Sequence, residues 1–304
     1  MSKTLNIFML YKIQDKDFLI GGDKCKTPLS KGYVFFSCCG KWVDIGKSGC
    51  NSGQGDKYEC VFAKYLKKNS VNAIKIYGEL FSDDLIVEEE GEYVLLRRKS
   101  SMLVPVSCFY SIDSETLMTN LPDSDRKRIH SITKKNRSKK EVLINSFPFA
   151  IPQKYLDDFN ISNDNIDALI IQPGQFLSRL TDNDVKYRKV AYINTNCEYD
   201  IFKNKMYEDF YGKMSFNDSI NKRIEMFFKD RDKYAHQCEL RCVIRDESER
   251  FTTHSQSKTI HLDGLSFFNS DDSDDKNATG MDFIYSDKNN EIFAEVIMRN
   301  ERDI

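Results

Sequence analysis

The chain has almost no net charge, no CxxC pair and no apolar run long enough to cross a bilayer. Each absence closes off a class of protein. Forty-five Lys and Arg stand against 47 Asp and Glu, a net charge of −2 over 304 residues. The molecule is therefore not a polycation over its whole surface, and any nucleic-acid contact needs a local patch. The longest apolar runs, such as Ile7-Phe8-Met9-Leu10-Tyr11, fall far short of the ~20 residues that span a membrane. Met1-Ser2-Lys3-Thr4-Leu5-Asn6 is not a basic start leading into a long apolar stretch. The expectation is a cytoplasmic protein without membrane contact.

The nine cysteines are odd in number and their spacings match no zinc pattern. His130, His236, His254 and His261 are scattered. These residues predict free thiols in a reducing compartment and no metal. Nothing in the sequence recommends a serine or cysteine triad. Gly40-Lys-Trp-Val-Asp-Ile-Gly46-Lys47-Ser48 ends like a phosphate-binding loop, but five residues separate its glycines where the motif needs four.

What is present is the balance of a globular chain, 40% hydrophobic and 30% charged. Aromatic and branched runs predict strands over 4–12, 32–37, 72–78, 83–88, 92–97 and 102–112. Tyr58, Val61, Phe62, Tyr65 and Leu66 recur at helical spacing and predict a helix. Further strands are expected at 167–171, 188–193, 238–244, 258–262, 281–285 and 291–298. Helices are expected after Pro173-Gly174 and over 215–229, where Phe216, Ile220, Ile224, Phe227 and Phe228 line one face. Strands outnumber helices without βαβ alternation. The fold class that follows is α+β, with mixed, mainly antiparallel sheets and a few amphipathic helices. One domain over 1–304 is expected, with the basic segment 120–141 as a possible sub-domain boundary.

That segment packs eight Lys/Arg into residues 126–140. Lys134, Lys135, Arg137, Lys139 and Lys140 are its candidate nucleic-acid contacts, since such a run neutralises several phosphates. A solvated loop is the other reading, and no aromatic residue is interleaved for base stacking.

The most informative stretch is Tyr234-Ala-His-Gln237-Cys-Glu239-Leu-Arg241-Cys-Val-Ile244. Strand alternation turns Gln237, Glu239 and Arg241 to one face and Cys238, Leu240, Cys242 and Ile244 to the core. A carboxylate flanked by an amide and a guanidinium is a usable site. A half-exposed strand with a solvated Arg–Glu pair is the alternative. Gln-x-Glu on a strand resembles the signature of ADP-ribosyltransferases. Tyr234, Gln237, Glu239 and Arg241 also resemble the aromatic-x-x-Glu-x-Glu-x-Arg frame of an uncharacterised bacterial family linked to mobile elements. Gly32-Tyr-Val-Phe-Phe-Ser37 with Trp42, Asp44, Asp56, Tyr58 and Glu59 is similar to that family's early segment.

The resemblance implies an ADP-ribosyltransferase-like core and an NAD-dependent mono-ADP-ribosyltransferase, as a toxin or phage-defence effector. Glu239 would stabilise the oxocarbenium-like ribose as nicotinamide leaves, and Gln237 would orient a protein or nucleic-acid acceptor. A fixed carboxylate beside a developing sugar cation is also sound chemistry on its own. The transferases hold the dinucleotide with an arginine or histidine on the first strand, where this chain has Tyr11-Lys12. Arg97 and Ser107, followed by Glu239, supply the arginine–serine–glutamate order, with Tyr11 and Arg241 completing the candidate NAD contacts. The alternative is a non-enzymatic component of a defence or mobile-element system that binds nucleic acid or protein through its basic segment.

Overall fold

The structure, a computed structural model, describes residues 7–48, 55–113, 148–151, 166–171, 173–263, 267–268 and 292–295. The basic segment 120–141, its five candidate contacts and the strand expected at 281–285 lie outside them. Along the chain run β1 (Ile7–Asp15), α1 (Lys16–Ile20), β2 (Tyr33–Cys38), α2 (Cys39–Lys47), β3 (Val61–Leu66), α3 (Lys67–Phe81), β4 (Leu85–Glu90), β5 (Tyr93–Arg98) and β6 (Pro105–Asp113). After them come β7 (Pro148–Ile151), β8 (Ile166–Ile171), a helix at Pro173–Asp182, β9 (Val185–Lys189), β10 (Ala191–Ile193) and β11 (Tyr199–Asp200). The remaining strands are β12 (Phe228–Asp230), β13 (Glu239–Ile244), β14 (Ser257–His261), β15 (Phe267–Phe268) and β16 (Ile292–Glu295).

The chain divides into two compact units. The first is built from Met1–Leu5, Tyr33–Phe109 and Leu177–Asp263, the second from Asn6–Gly32, Tyr110–Phe176 and Gly264–Ile304. In the second unit β1 pairs antiparallel with β8 and with the end of β6, placing Tyr11 opposite Ile170 and Tyr110. In the first unit β14 pairs with β2, β2 with the start of β6, and β13 with both β6 and β9. A second sheet there has the antiparallel order β11-β3-β5-β4, and β10 pairs in parallel with β12. Among the described residues the architecture is α+β with mainly antiparallel sheets, and no helix is long and apolar enough to cross a membrane.

Two expected elements change type. The stripe read as a helix over 58–66 is strand β3, and α3 occupies the expected strand at 72–78. Val61, Phe62, Ala63 and Lys64 are buried on both faces of β3, and a strand buried on both faces loses the period-2 pattern that would distinguish it. In α3 the residues that pack inward are Ser70, Ala73 and Tyr77, at helical spacing, while Val71 and Ile76 stay exposed. Of its branched residues only Ile74 packs against the core. The helix expected over 215–229 stops at Asn221, Arg223 takes a left-handed φ of 48°, and the chain then enters β12.

One core cluster of the first unit joins Phe62, Leu96, Tyr77, Ile201, Phe202, Tyr207 and Phe228. Asp200 sits within it, accepting from the Tyr77 hydroxyl at 2.9 Å and from the Phe202 and Lys203 amides. A second cluster joins Cys39, Val43, Cys60, Val104, Val106, Met226, Phe227 and Val243. The charged site lies beside it: Glu59 adjoins Cys60, and Glu239 and Arg241 share strand β13 with Val243.

Candidate functional site

Strand β13 begins at Glu239, not at 238. Cys238 has a left-handed φ of 43°, and Gln237 closes the preceding helical turn. Gln237 is thus not on the strand, as the alternation argument had placed it. Glu239 and Arg241 do share a face, two residues apart. The alternative of a solvated polar face does not hold, because every residue of β13 is buried.

Arg241 is the centre of the site. Its Nε donates to Glu239 Oε1 at 2.8 Å. Its Nη1 and Nη2 donate to the two oxygens of Glu59 at 2.7 and 2.8 Å, a fork-to-fork pair. Nη1 also donates to the Met226 carbonyl, and the guanidinium lies over the Trp42 ring. The second cation, Lys229, is 2.7 Å from Glu239 Oε2 and 3.6 Å from Glu59 Oε1. Its ammonium also donates to Gln237 Oε1 at 3.4 Å and lies 4.9 Å from the centre of the Tyr234 ring. Two carboxylates and two cations therefore form a closed, charge-balanced ring. A single ionised group left there would face a desolvation penalty of several kcal/mol.

Local chemistry explains how distant segments meet here. Gly46 and Gly55 pack backbone against backbone, where a Cβ on either would strike the other strand of chain. That contact brings the turn after Gly55 onto α2, and the Tyr234 hydroxyl donates to the Gly55 carbonyl at 2.5 Å. The turn itself is closed by Asp56, whose carbonyl accepts from the Glu59 amide and whose Oδ1 accepts from the Tyr58 amide. From the other side, parallel pairing sets Tyr192 beside Lys229, and the Glu239 amide donates to the Tyr192 hydroxyl at 2.8 Å.

The two kinds of carboxyl behave oppositely. Burial alone would raise Glu239, but Arg241 and Lys229 outweigh it and hold the carboxyl well below the usual range. A hydrogen bond from the Cys108 thiol adds to this. Burial pulls Lys229 down, yet Glu239 and Glu59 together raise it. Asp56 goes the other way. Burial, then the charge of Glu59, lifts it from 3.8 to about 6, and its Oδ2 is buried without a hydrogen-bond partner.

Between pH 3.8 and about 6 the unfolded chain has released the Asp56 proton while the folded chain retains it. Stability therefore falls as pH rises through that window and stays lowered above it. Asp56→Asn is expected to stabilise the protein at pH 8 by up to about 3 kcal/mol and to change nothing at pH 4. Urea denaturation at the two pH values checks this. An equal loss of stability at both would show that the ionised carboxylate is held favourably instead.

The candidate residues separate into three groups. Glu239, Gln237, Arg241 and Tyr234 come together, and Trp42, Asp56 and Glu59 of the early segment join them. Arg241 was expected to contact NAD, but its nitrogens are spent on Glu239, Glu59 and Met226. Arg97 is likewise committed: it is buried, donates to the Glu59 and Lys57 carbonyls and pairs with Glu88. Ser107 is on β6, where alternation turns it to the face opposite Cys108, the residue that reaches Glu239. Tyr11 belongs to the second unit. Asp44 pairs with His254 at 2.8 Å. The helix α2 contains Gly40 through Lys47, so that segment is not a phosphate loop.

No family model, curated protein or solved structure matches this chain.

Sequence reasoning left Lys229 out of the site and gave Asp56 and Glu59 no role. Lys229-Asp230 does end the apolar run Met226-Phe227-Phe228, and charges directly after such a run are a signal of buried pairing.

Proposed function

We propose that the protein is an NAD-dependent mono-ADP-ribosyltransferase whose working carboxylate is Glu239. The observation that carries this reading is a buried Glu239 kept ionised between Arg241 and Lys229, with Gln237 held on the same lysine. In the reaction the C1′–N bond of the nicotinamide riboside breaks and its electron pair returns to the pyridinium nitrogen. Nicotinamide then leaves neutral and needs no acid. The ribosyl group becomes positive, and it takes at Glu239 the place that the Lys229 ammonium holds in the resting protein. Glu59, 3.6 Å from Lys229, receives the displaced ammonium.

The second step needs a base. An acceptor oxygen or nitrogen on a protein or nucleic acid attacks C1′ and releases a proton. Asp56, lifted to about 6, is matched to take it near neutral pH. Two carboxyls driven apart in this way are the pattern of a stabilising anion and a proton carrier. Gln237 orients the acceptor, and Arg241 positions Glu239. By its resemblance, the protein is a toxin or phage-defence effector.

The test is nicotinamide release from NAD by the full chain, followed across pH. Activity should rise through about pH 6 as Asp56 ionises, and Asp56→Asn should remove that rise. A rate flat from pH 5 to 8 in the native protein would exclude Asp56 as the base.

A further inference from the structure

We propose that Cys39 and Cys60 form a modification site, a buried dithiol that a small-molecule disulfide oxidises to an intramolecular Cys39–Cys60 bond. The two Sγ atoms lie 3.1 Å apart, although the residues are 21 positions apart in the chain. Cys39 opens α2 and Cys60 immediately precedes β3, so the pair bridges two elements of the first unit. Closing it to a bond of about 2.05 Å takes a movement of roughly 1 Å, within reach of side-chain rotation.

A thiophilic metal is the rival occupant, since Cys39, Glu59 and Cys60 offer three ligand atoms within 4.8 Å of one another. Two observations favour the disulfide. Tetrahedral zinc, with Zn–S of about 2.3 Å, spaces its thiolates about 3.8 Å apart, wider than the 3.1 Å found here. Glu59 also has both oxygens engaged by Arg241.

The chemistry balances with the oxidant named. One cysteine thiolate attacks the external disulfide, forming a mixed disulfide and expelling one small thiolate. The second cysteine then attacks the protein sulfur of that bond and expels the other. The two protons from Cys39 and Cys60 leave with them, so two small thiols form for each protein disulfide. Both cysteines are fully buried, and oxidation therefore passes through a transient opening of α2 away from β3. The result bears on the charged ring, because Cys60 adjoins Glu59 and α2 carries Trp42 beneath Arg241. Oxidation ties both sides of the ring together.

The experiment incubates the full chain with oxidised glutathione, unfolds it, alkylates the remaining thiols and maps the peptides. The expected result is a Cys39–Cys60 cross-linked peptide, distinct from glutathione adducts on exposed Cys197. The thermal midpoint without reductant should rise by roughly 5–10 °C and return on adding dithiothreitol. Cys39→Ser should show no such rise, and the cross-link is read on the native chain should that variant fail to fold. Two results overturn the proposal. One is Cys39 and Cys60 both alkylated while Cys197 carries glutathione. The other is stoichiometric zinc in the purified protein, released when a mercurial titrates these two thiols. Neither readout depends on NAD turnover.

Discussion

Replacing Arg241 with methionine should destabilise the protein by about 3–5 kcal/mol, because it leaves two buried carboxylates facing a single ammonium. Methionine fills much of the same volume and keeps contact with Trp42, so the loss reports charge more than packing. Both Glu59 and Glu239 are within 3 Å of the guanidinium, and neither side chain is more than 5% exposed. Water cannot take over as partner. The loss should shrink on acidification. In the native protein Glu239 is held low, so its contribution is present above the ordinary value of 4.5 and fades as pH falls below it. In the variant Glu239 has lost its guanidinium and protonates more readily, and the two proteins converge in acid.

A double-mutant cycle sharpens the point. Glu59→Gln combined with Arg241→Met should cost less than the sum of the two single changes, by more than 1 kcal/mol or so. Simple addition would mean that the fork-to-fork pair is not coupled, and denaturant unfolding of the four proteins reads it directly.

What could be read from the sequence follows the range of the interactions. Glu239 and Arg241 were placed on one face because a strand sets that relation within three residues. The partners of Arg241 were not, since Glu59 lies 182 residues away and nothing local announces the pairing. Gln237 was put on the strand for want of any signal that Cys238 would turn left-handed. The exchange of helix and strand around Leu66 has a similar origin. Burial on both faces of β3 erases its alternation, while the exposed Val71 and Ile76 of α3 resemble strand residues that happen not to pack. Fold class was legible because it depends on the number and order of apolar segments, which survives such exchanges. Nothing in their spacing announced that Trp42, Asp56 and Glu59 would meet Tyr234 and Gln237, which follow them by more than 170 residues.

Glu239→Gln removes the buried anion and little else. The side chain keeps its shape and its amide oxygen still accepts from Arg241, but Arg241 and Lys229 are left with Glu59 as their one carboxylate, 3.6 Å from Lys229, so the variant should fold with a stability lowered by about 3–5 kcal/mol. The anion opposite the ribosyl cation is gone, however. A preorganised charge in a water-poor site contributes several kcal/mol to such a transition state, and nicotinamide release should fall by at least about 100-fold. Native and variant proteins, each held well below its own unfolding midpoint, incubated with NAD and followed for free nicotinamide, supply the comparison. The native protein should turn NAD over, and the variant should lose two orders of magnitude or more. Equal release by both, or none from the native protein, would contradict it and leave the ring of Glu59, Lys229, Glu239 and Arg241 as a structural lattice in a non-enzymatic binding protein.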